Sequence, residues 1–230
     1  MNRFNTKGIV LSRTDYGEAD RILTFLTADR GKVKAIAKGV RKSKSKLAGG
    51  IELFSVSELT LIIGRGEINT LISTRMDRHY GNIVKNIERT NTAYEFMKMI
   101  NRATEDQPEA AYFELLEQSL SSLDDFKIDL ELMSLWFKMQ LLRIGGHSPN
   151  LKTDIEAKKL KPGKKYNFDA EKMAFFVHPQ GRYSDTNIKF LRLGFSRNPP
   201  KALNRIENVA KLSASAQPLV SSMLQNFIRL

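Results

Sequence analysis

At 230 residues the chain exceeds a typical single domain, and its 41% hydrophobic and 27% charged residues exclude a disordered or collagen-like polymer. It contains no cysteine, which excludes disulfides, thiolate metal sites and cysteine nucleophiles among these residues. Its 37 Lys and Arg against 25 Asp and Glu leave a net charge of +12. Such a field favours polyanions, nucleic acid first, although an anionic membrane surface or an acidic protein satisfies the same sum.

Met1 to Lys7 lead directly into an alternating strand pattern with no apolar signal region, so a cytoplasmic location is expected. The first 80 residues carry 15 basic and 8 acidic side chains, net +7. Short runs rich in Ile, Val, Leu, Phe and Thr predict strands near Gly8 to Arg13, Arg21 to Thr27, Lys32 to Lys38, Val56 to Ile63 and Glu67 to Thr74. Asp29-Arg30-Gly31 and Gly64-Arg65-Gly66 mark hairpin turns where glycine can take positive φ. Five such strands, with the longest connection between the third and fourth, predict a small OB-fold barrel.

From Ile83 the period becomes helical, with helices expected at 83–102, 109–122 and 127–144, the second starting beside Pro108 and the third stopped by Gly145-Gly146. Residues 81–142 hold 6 basic and 11 acidic side chains, net −5. The third helix is apolar on nearly every side, which makes it the expected centre of a bundle, with Met133, Trp136 and Phe137 in the core. Its charged and amide residues argue against a membrane span. Residues 143–230 carry 16 basic and 6 acidic side chains, net +10. They open with a basic, turn-rich stretch around Lys158 to Lys165, then a hairpin whose second arm is Ala174 to Val177. Helices are expected near Thr186 to Leu193, Lys201 to Lys211 and Pro218 to Ile228. His79, His147 and His178 form no short-spaced pair of the kind that ligates metal, and no metal or other cofactor is expected.

The most specific chemical feature is the run Lys32, Lys34, Lys38, Arg41, Lys42, Lys44 and Lys46, seven cations in 15 residues without one acid. The period of two turns Val33, Ala35 and Ala37 to the core and Lys32, Lys34 and Lys38 to the other face. Beyond Gly39 the charges continue into what reads as a flexible loop, Val40 to Gly50, able to follow an irregular phosphate path. Charged edges also protect strands from aggregation, but one or two lysines suffice for that. These seven residues and Arg65 are the candidate DNA contacts. If about five of them neutralise phosphates, the salt slope for single-stranded DNA is near −3.5. Among aromatics that could stack bases, Phe25 and Phe54 read equally as core, and Tyr16 in its Asp-Tyr-Gly turn reads as exposed.

No catalytic grouping emerges, neither a phosphate-binding loop nor G-x-S-x-G nor H-E-x-x-H, and no enzymatic activity is expected. Asp15, Glu18 and Asp20 could be imagined as part of a two-metal nuclease site, but they read better as caps of the first turn. A generic OB-fold RNA-binding protein, or a scaffold whose lysines meet acidic partners, are the competing readings.

The first 80 residues resemble the RecO family of DNA repair proteins. The resemblance is carried by Lys7-Gly8-Ile9-Val10-Leu11, Tyr16-Gly17-Glu18-Ala19-Asp20-Arg21-Ile22-Leu23, Thr27-Ala28-Asp29-Arg30-Gly31-Lys32, the run from Ala37 to Leu47, Glu52-Leu53-Phe54 and Glu58-Leu59. A weaker match follows at Gly146 to Leu151, where many relatives enter a four-cysteine, zinc-finger-like insertion. With no cysteine here, the insertion is expected to survive as a metal-free fold. The resemblance thus implies an α+β protein: an OB-fold domain at 1–80, a helical domain beginning at 81–146, a degenerate zinc-finger-like insertion at 147–182, and C-terminal helices at 183–230 that complete the helical domain. It further implies a recombination mediator that binds single- and double-stranded DNA and anneals complementary strands. Its partners would be the acidic C-terminal tail of single-strand-binding protein and RecR, with a functional link to RecA loading and association with the nucleoid. Lys138 and Arg143 are the expected cationic rim of the tail site.

Overall fold

The alternating pattern of the first eighty residues resolves, in a computed structural model that describes residues 2–104 and 110–227, into five strands. These are β1 (Arg3–Tyr16), β2 (Asp20–Thr27), β3 (Gly31–Ala37), β4 (Ser55–Ile62) and β5 (Ile68–His79). They close into a barrel in the order β1-β2-β3-β5-β4, with β1 returning to β4 and with β3 and β5 parallel. That is the OB-fold arrangement. β1 and β5 extend well past their expected ends, because residues such as Arg75 and Arg78 lack an apolar alternation yet still pair with β4.

Closure depends on β1 serving two neighbours at once. Gly8 pairs with Thr27 of β2 and with Ser57 of β4, and a Cβ at Gly8 would stand 2.5 Å from Leu59 Cδ1, so the Leu59 side chain packs into the space that glycine leaves. Register shifts at Val10/Ser12 in β1 and twice along the β4–β5 pair add the bends a small barrel needs. Val10, Leu23, Phe25, Val33, Ala35, Leu59, Leu61 and Leu71 fill the interior, so Phe25 is core.

Val40 to Gly50, expected from its serines and glycines to be a flexible loop, is anchored on the barrel by apolar residues. It folds as successive turns and a 3-10 turn at Ala48–Gly50. Val40 and Ile51 are buried in the barrel core, and Leu47, Ala48 and Leu53 pack against it. Thr74 donates its hydroxyl to Leu47 O at 3.2 Å. The apolar residues seal one end of the barrel and leave the lysines between them outside. A Cβ at Gly50 would lie 2.2 Å from Thr74 Oγ1 and 3.2 Å from the Thr74 backbone carbon. Gly50→Ala therefore lowers stability by about 1–3 kcal/mol through overpacking, read as a lower midpoint in thermal unfolding.

The chain divides after Asp124 into two compact units. In the first, α1 (Ile87–Ala103) and α2 (Ala110–Asp124) follow the barrel. Asn86 caps α1 by accepting from Arg89 N, and buried Arg89 donates to Leu123 O at 2.8 Å, a cation on the carbonyl end of α2. Phe54, buried at φ 57, sets its ring edge-on to Tyr94 of α1 at 5.1 Å. The expected start of the second helix at Pro108 and Glu109 lies outside the described residues, as does Ile228.

The second unit contains α3 (Leu130–Ile144), β6 (Asn150–Asp154), β7 (Tyr166–Asp169), β8 (Ala174–Val177), α4 (Asp185–Gly194), α5 (Pro200–Leu203) and α6 (Val209–Phe227). α3 is buried on most sides, as its composition requires, and packs along α6. The expected helices at Lys201 to Lys211 and Pro218 to Ile228 are corrected to the four-residue α5 and one long α6 that runs through Pro218. Proline forfeits one backbone hydrogen bond, but Leu212, Ala216, Leu219, Val220, Met223 and Leu224 keep a single buried stripe through that point, and its burial outweighs the loss.

β6, β8 and β7 form a small sheet in that order, and the β7–β8 hairpin has the expected second arm. Phe175, fully buried, meets Phe168 edge-on at 5.1 Å and Tyr183 at 5.5 Å. The Tyr166 hydroxyl accepts from Lys161 N at 2.8 Å. An aromatic cluster therefore holds this sheet. Among the described residues, no helix is long and apolar enough to cross a membrane.

Candidate nucleic-acid interface

Residues directly opposite in an antiparallel pair share a face, so the register defines what the barrel shows outside β2 and β3. Ser12, Thr24, Lys34 and Ile68 form one row across the strands, and Thr14, Ile22, Ile36 and Thr70 form the next. Tyr16 pairs with Asp20, and Lys38 leaves the end of β3 beside them.

The seven expected cations fall into two groups. Lys32 is half-buried and donates to Asn101 O at 3.1 Å, one of the last carbonyls of α1, where a cation offsets the helix dipole. Lys34 reaches Glu67 Oε2 at 3.5 Å, and these residues with Thr24 and Asn101 line a groove of about 430 Å³. Arg41 lies 3.6 Å from Asp15 Oδ2 and donates to Gly17 O at 3.4 Å. By contrast, Lys38, Lys42, Lys44 and Lys46 are exposed and make no side-chain hydrogen bond or ion pair among the described residues. They stand on the sealed 40–50 segment and its approach. Arg65, at the exposed tip of the β4–β5 turn, is also without a partner there.

This platform is tied to the β1–β2 turn. Arg41 N donates to Ala19 O at 2.9 Å, and Gly39 N donates to Asp20 Oδ1 at 2.7 Å. Arg21 Nε bonds Asp15 Oδ1 at 2.7 Å. That bond holds the Asp15 carboxyl below its ordinary range, with Arg41 adding to the effect and desolvation opposing it. A depressed carboxylate stabilises the fold above its unfolded pKa, and this contribution fades as pH falls through the folded value. Asp15 and Asp20 thus act as clamps of the turn, whereas Glu18, expected to cap it with them, is exposed and makes no side-chain hydrogen bond or ion pair among the described residues, where no three carboxylates or histidines cluster as metal ligands either.

In the second unit, Lys138 and Arg143 are both half-buried on α3, but five positions on a helix place them about 140° apart, so they share no face. Arg143 donates to Gln140 Oε1 at 2.8 Å, and burial, then the nearby Arg197 charge, lowers its pKa. A more connected feature was not legible in sequence. Phe168, Phe176, Tyr183 and Leu219 line an open groove of about 480 Å³, with Arg182 also in its wall. Its walls come from residues as far apart as Asn167 and Ser222, beyond the reach of any local pattern.

A five-stranded OB barrel with a cationic platform at one end, continued by helices and a small sheet, defines a two-unit OB-fold protein. The family profile described as "Recombination protein O N terminal" matches residues 1–77, and "Recombination protein O C terminal" matches residues 85–226. The chain belongs to the RecO family. It is 35% identical over 150 residues to a DNA repair protein RecO of Dehalococcoides mccartyi, covering 65% of this chain and 58% of that protein. A DNA repair protein RecO of Desulfatibacillum aliphaticivorans is 33% identical over 154 residues, covering 66% of this chain and 60% of that protein. One from Alkaliphilus metalliredigens is 33% identical over 147 residues, covering 64% and 59%. The alignments thus span less than two thirds of these relatives' lengths. A tetrathiolate zinc site does not fit the present chain, which has no cysteine to supply ligands.

Proposed function

We propose that this protein is a non-enzymatic mediator of DNA repair and recombination that binds single- and double-stranded DNA at the barrel. In this reading it anneals complementary strands in the cytoplasm, at the nucleoid, and assists RecA loading together with RecR. The observation that carries the reading is the group Lys38, Lys42, Lys44 and Lys46, cations with no protein partner among the described residues, beside the outer face of an OB barrel. Phosphate contacts of this kind bind by charge and not by sequence, which suits a protein that must accept any strand. Lys34 shares the outer face of β3 with Lys38, and Arg41 stands within the lysine-bearing segment, while Arg65 lies towards the other end of the β3–β5 pair and Lys32 serves chiefly to hold α1.

The acidic, aromatic-ended tail of single-strand-binding protein needs an apolar pocket with a cation beside it. The groove of Phe168, Phe176 and Tyr183, with Arg182 in its wall, supports that role better than Lys138 and Arg143, which point in different directions. The small β6-β8-β7 sheet occupies the stretch assigned to the metal-free insertion.

Annealing of two complementary labelled strands, followed by energy transfer, tests the proposal. The parent accelerates annealing, and the variant with Lys38, Lys42, Lys44 and Lys46 changed to alanine loses most of the acceleration. Equal acceleration by both proteins would remove the barrel from the reading. A marked preference for structured RNA over DNA would favour the RNA-binding alternative.

A further inference from the structure

We infer that Tyr16 is a base-stacking platform at the barrel's DNA surface, a role that rests on the barrel binding DNA as proposed above. Tyr16 is 56% exposed at the end of β1. Among the described residues the other exposed phenyl and phenol rings are Tyr94, engaged with Phe54, and Phe126 in the second unit, so Tyr16 is the exposed ring of that kind on the barrel, whose exposed imidazole, His79, stands at the end of β5. Among the described residues no ring or guanidinium packs on it.

Its position, more than its exposure, carries the inference. Tyr16 pairs with Asp20 across β1 and β2, and Arg21 pairs with Ala37, so Tyr16 opens on the same outer face as Lys38. Two strand spacings, about 10 Å, separate the backbone at Tyr16 from that at Lys38. The Asp20 carboxylate between them accepts from Gly39 N, and Arg41 reaches Gly17 O, so the turn carrying Tyr16 is fastened to the segment carrying the free lysines. Glu18 is exposed at the tip and repels phosphate from the turn itself. The arrangement offers charge to the backbone on one side and a flat π-face to a base on the other. Every base has such a face, so the contact discriminates single strands from duplex without reading sequence.

Tyr16→Ala, Tyr16→Phe and the four-lysine alanine variant are compared with the parent by fluorescence anisotropy. The probes are an oligo-dT strand, an abasic strand of the same length and a duplex. Tyr16→Ala is expected to weaken oligo-dT binding about ten-fold or more, leaving the abasic strand, the duplex and the salt slope unchanged. Tyr16→Phe keeps parental affinity. Parental affinity of Tyr16→Ala for oligo-dT, or an equal loss on the abasic strand, overturns the stacking role. A loss in the lysine variant with none in Tyr16→Ala overturns stacking alone. No loss in either variant overturns the barrel as the DNA surface and the stacking role with it.

Discussion

Replacing Lys38, Lys42, Lys44 and Lys46 with alanine is expected to flatten the salt dependence of single-strand binding from a slope near −3.5 to one near −0.7. Each phosphate contact on a single strand contributes about −0.7 through counterion release, and four of about five contacts are removed. The parent loses affinity on the order of 100-fold between 50 and 200 mM salt, whereas the variant loses only a few-fold. These four side chains make no bond inside the protein among the described residues, so their removal leaves the fold intact. Lys32→Ala differs, since it leaves Asn101 O without its cation and costs about 0.5–1.5 kcal/mol of stability before DNA is considered. Anisotropy titrations at four or five salt concentrations decide the point. A variant slope as steep as the parent's would move the phosphate contacts elsewhere, most plainly to the segment of net charge +10 at 143–230.

Trp136→Ala is expected to lower the stability of the second unit by about 3–5 kcal/mol, the range for truncating a buried aromatic. Trp136 is the chain's one tryptophan, buried on α3, and its indole nitrogen donates to Asn198 O at 2.9 Å. Truncation removes the ring from its packing and also strands that carbonyl. A domain of ordinary stability has about 5–15 kcal/mol in total, so much of the margin disappears. Trp136→Phe refills most of the space but not the hydrogen bond, and is expected to cost less. Urea unfolding followed by far-UV circular dichroism reads both variants without needing the lost fluorophore. An unchanged midpoint for Trp136→Ala would mean that α3 is not the centre of this unit.

The barrel was legible because its strands alternate, so Val33, Ala35 and Ala37 announce the inside and Lys34 the outside. The 40–50 segment was not. Val40, Leu47 and Ile51 are spaced seven and four apart, outside any strand or α-helix, and their fit into the barrel end is visible only in three dimensions. Pro218 misled for a different reason, because a local rule about proline competes with a buried stripe contributed by the whole helix. The candidate site divides the same way. The lysines were conspicuous in sequence, but separating Lys32, bound to a carbonyl 69 residues away, from its unpartnered neighbours required the helix to be in place. Arg21 and Asp15 belong to the turn through the β1–β2 register, which composition cannot supply.

The aromatic cluster of Phe168, Phe175 and Tyr183 also sets the conditions under which the small sheet exists. Rings in edge-to-face contact need no ion to be delivered and no thiols to be kept reduced. Cellular zinc starvation, a chelator or a burst of peroxide, each able to dismantle a thiolate-metal knuckle, leaves this set of contacts chemically unchanged. The vulnerability shifts to temperature, because a cluster held by apolar burial and ring contacts is lost cooperatively on heating.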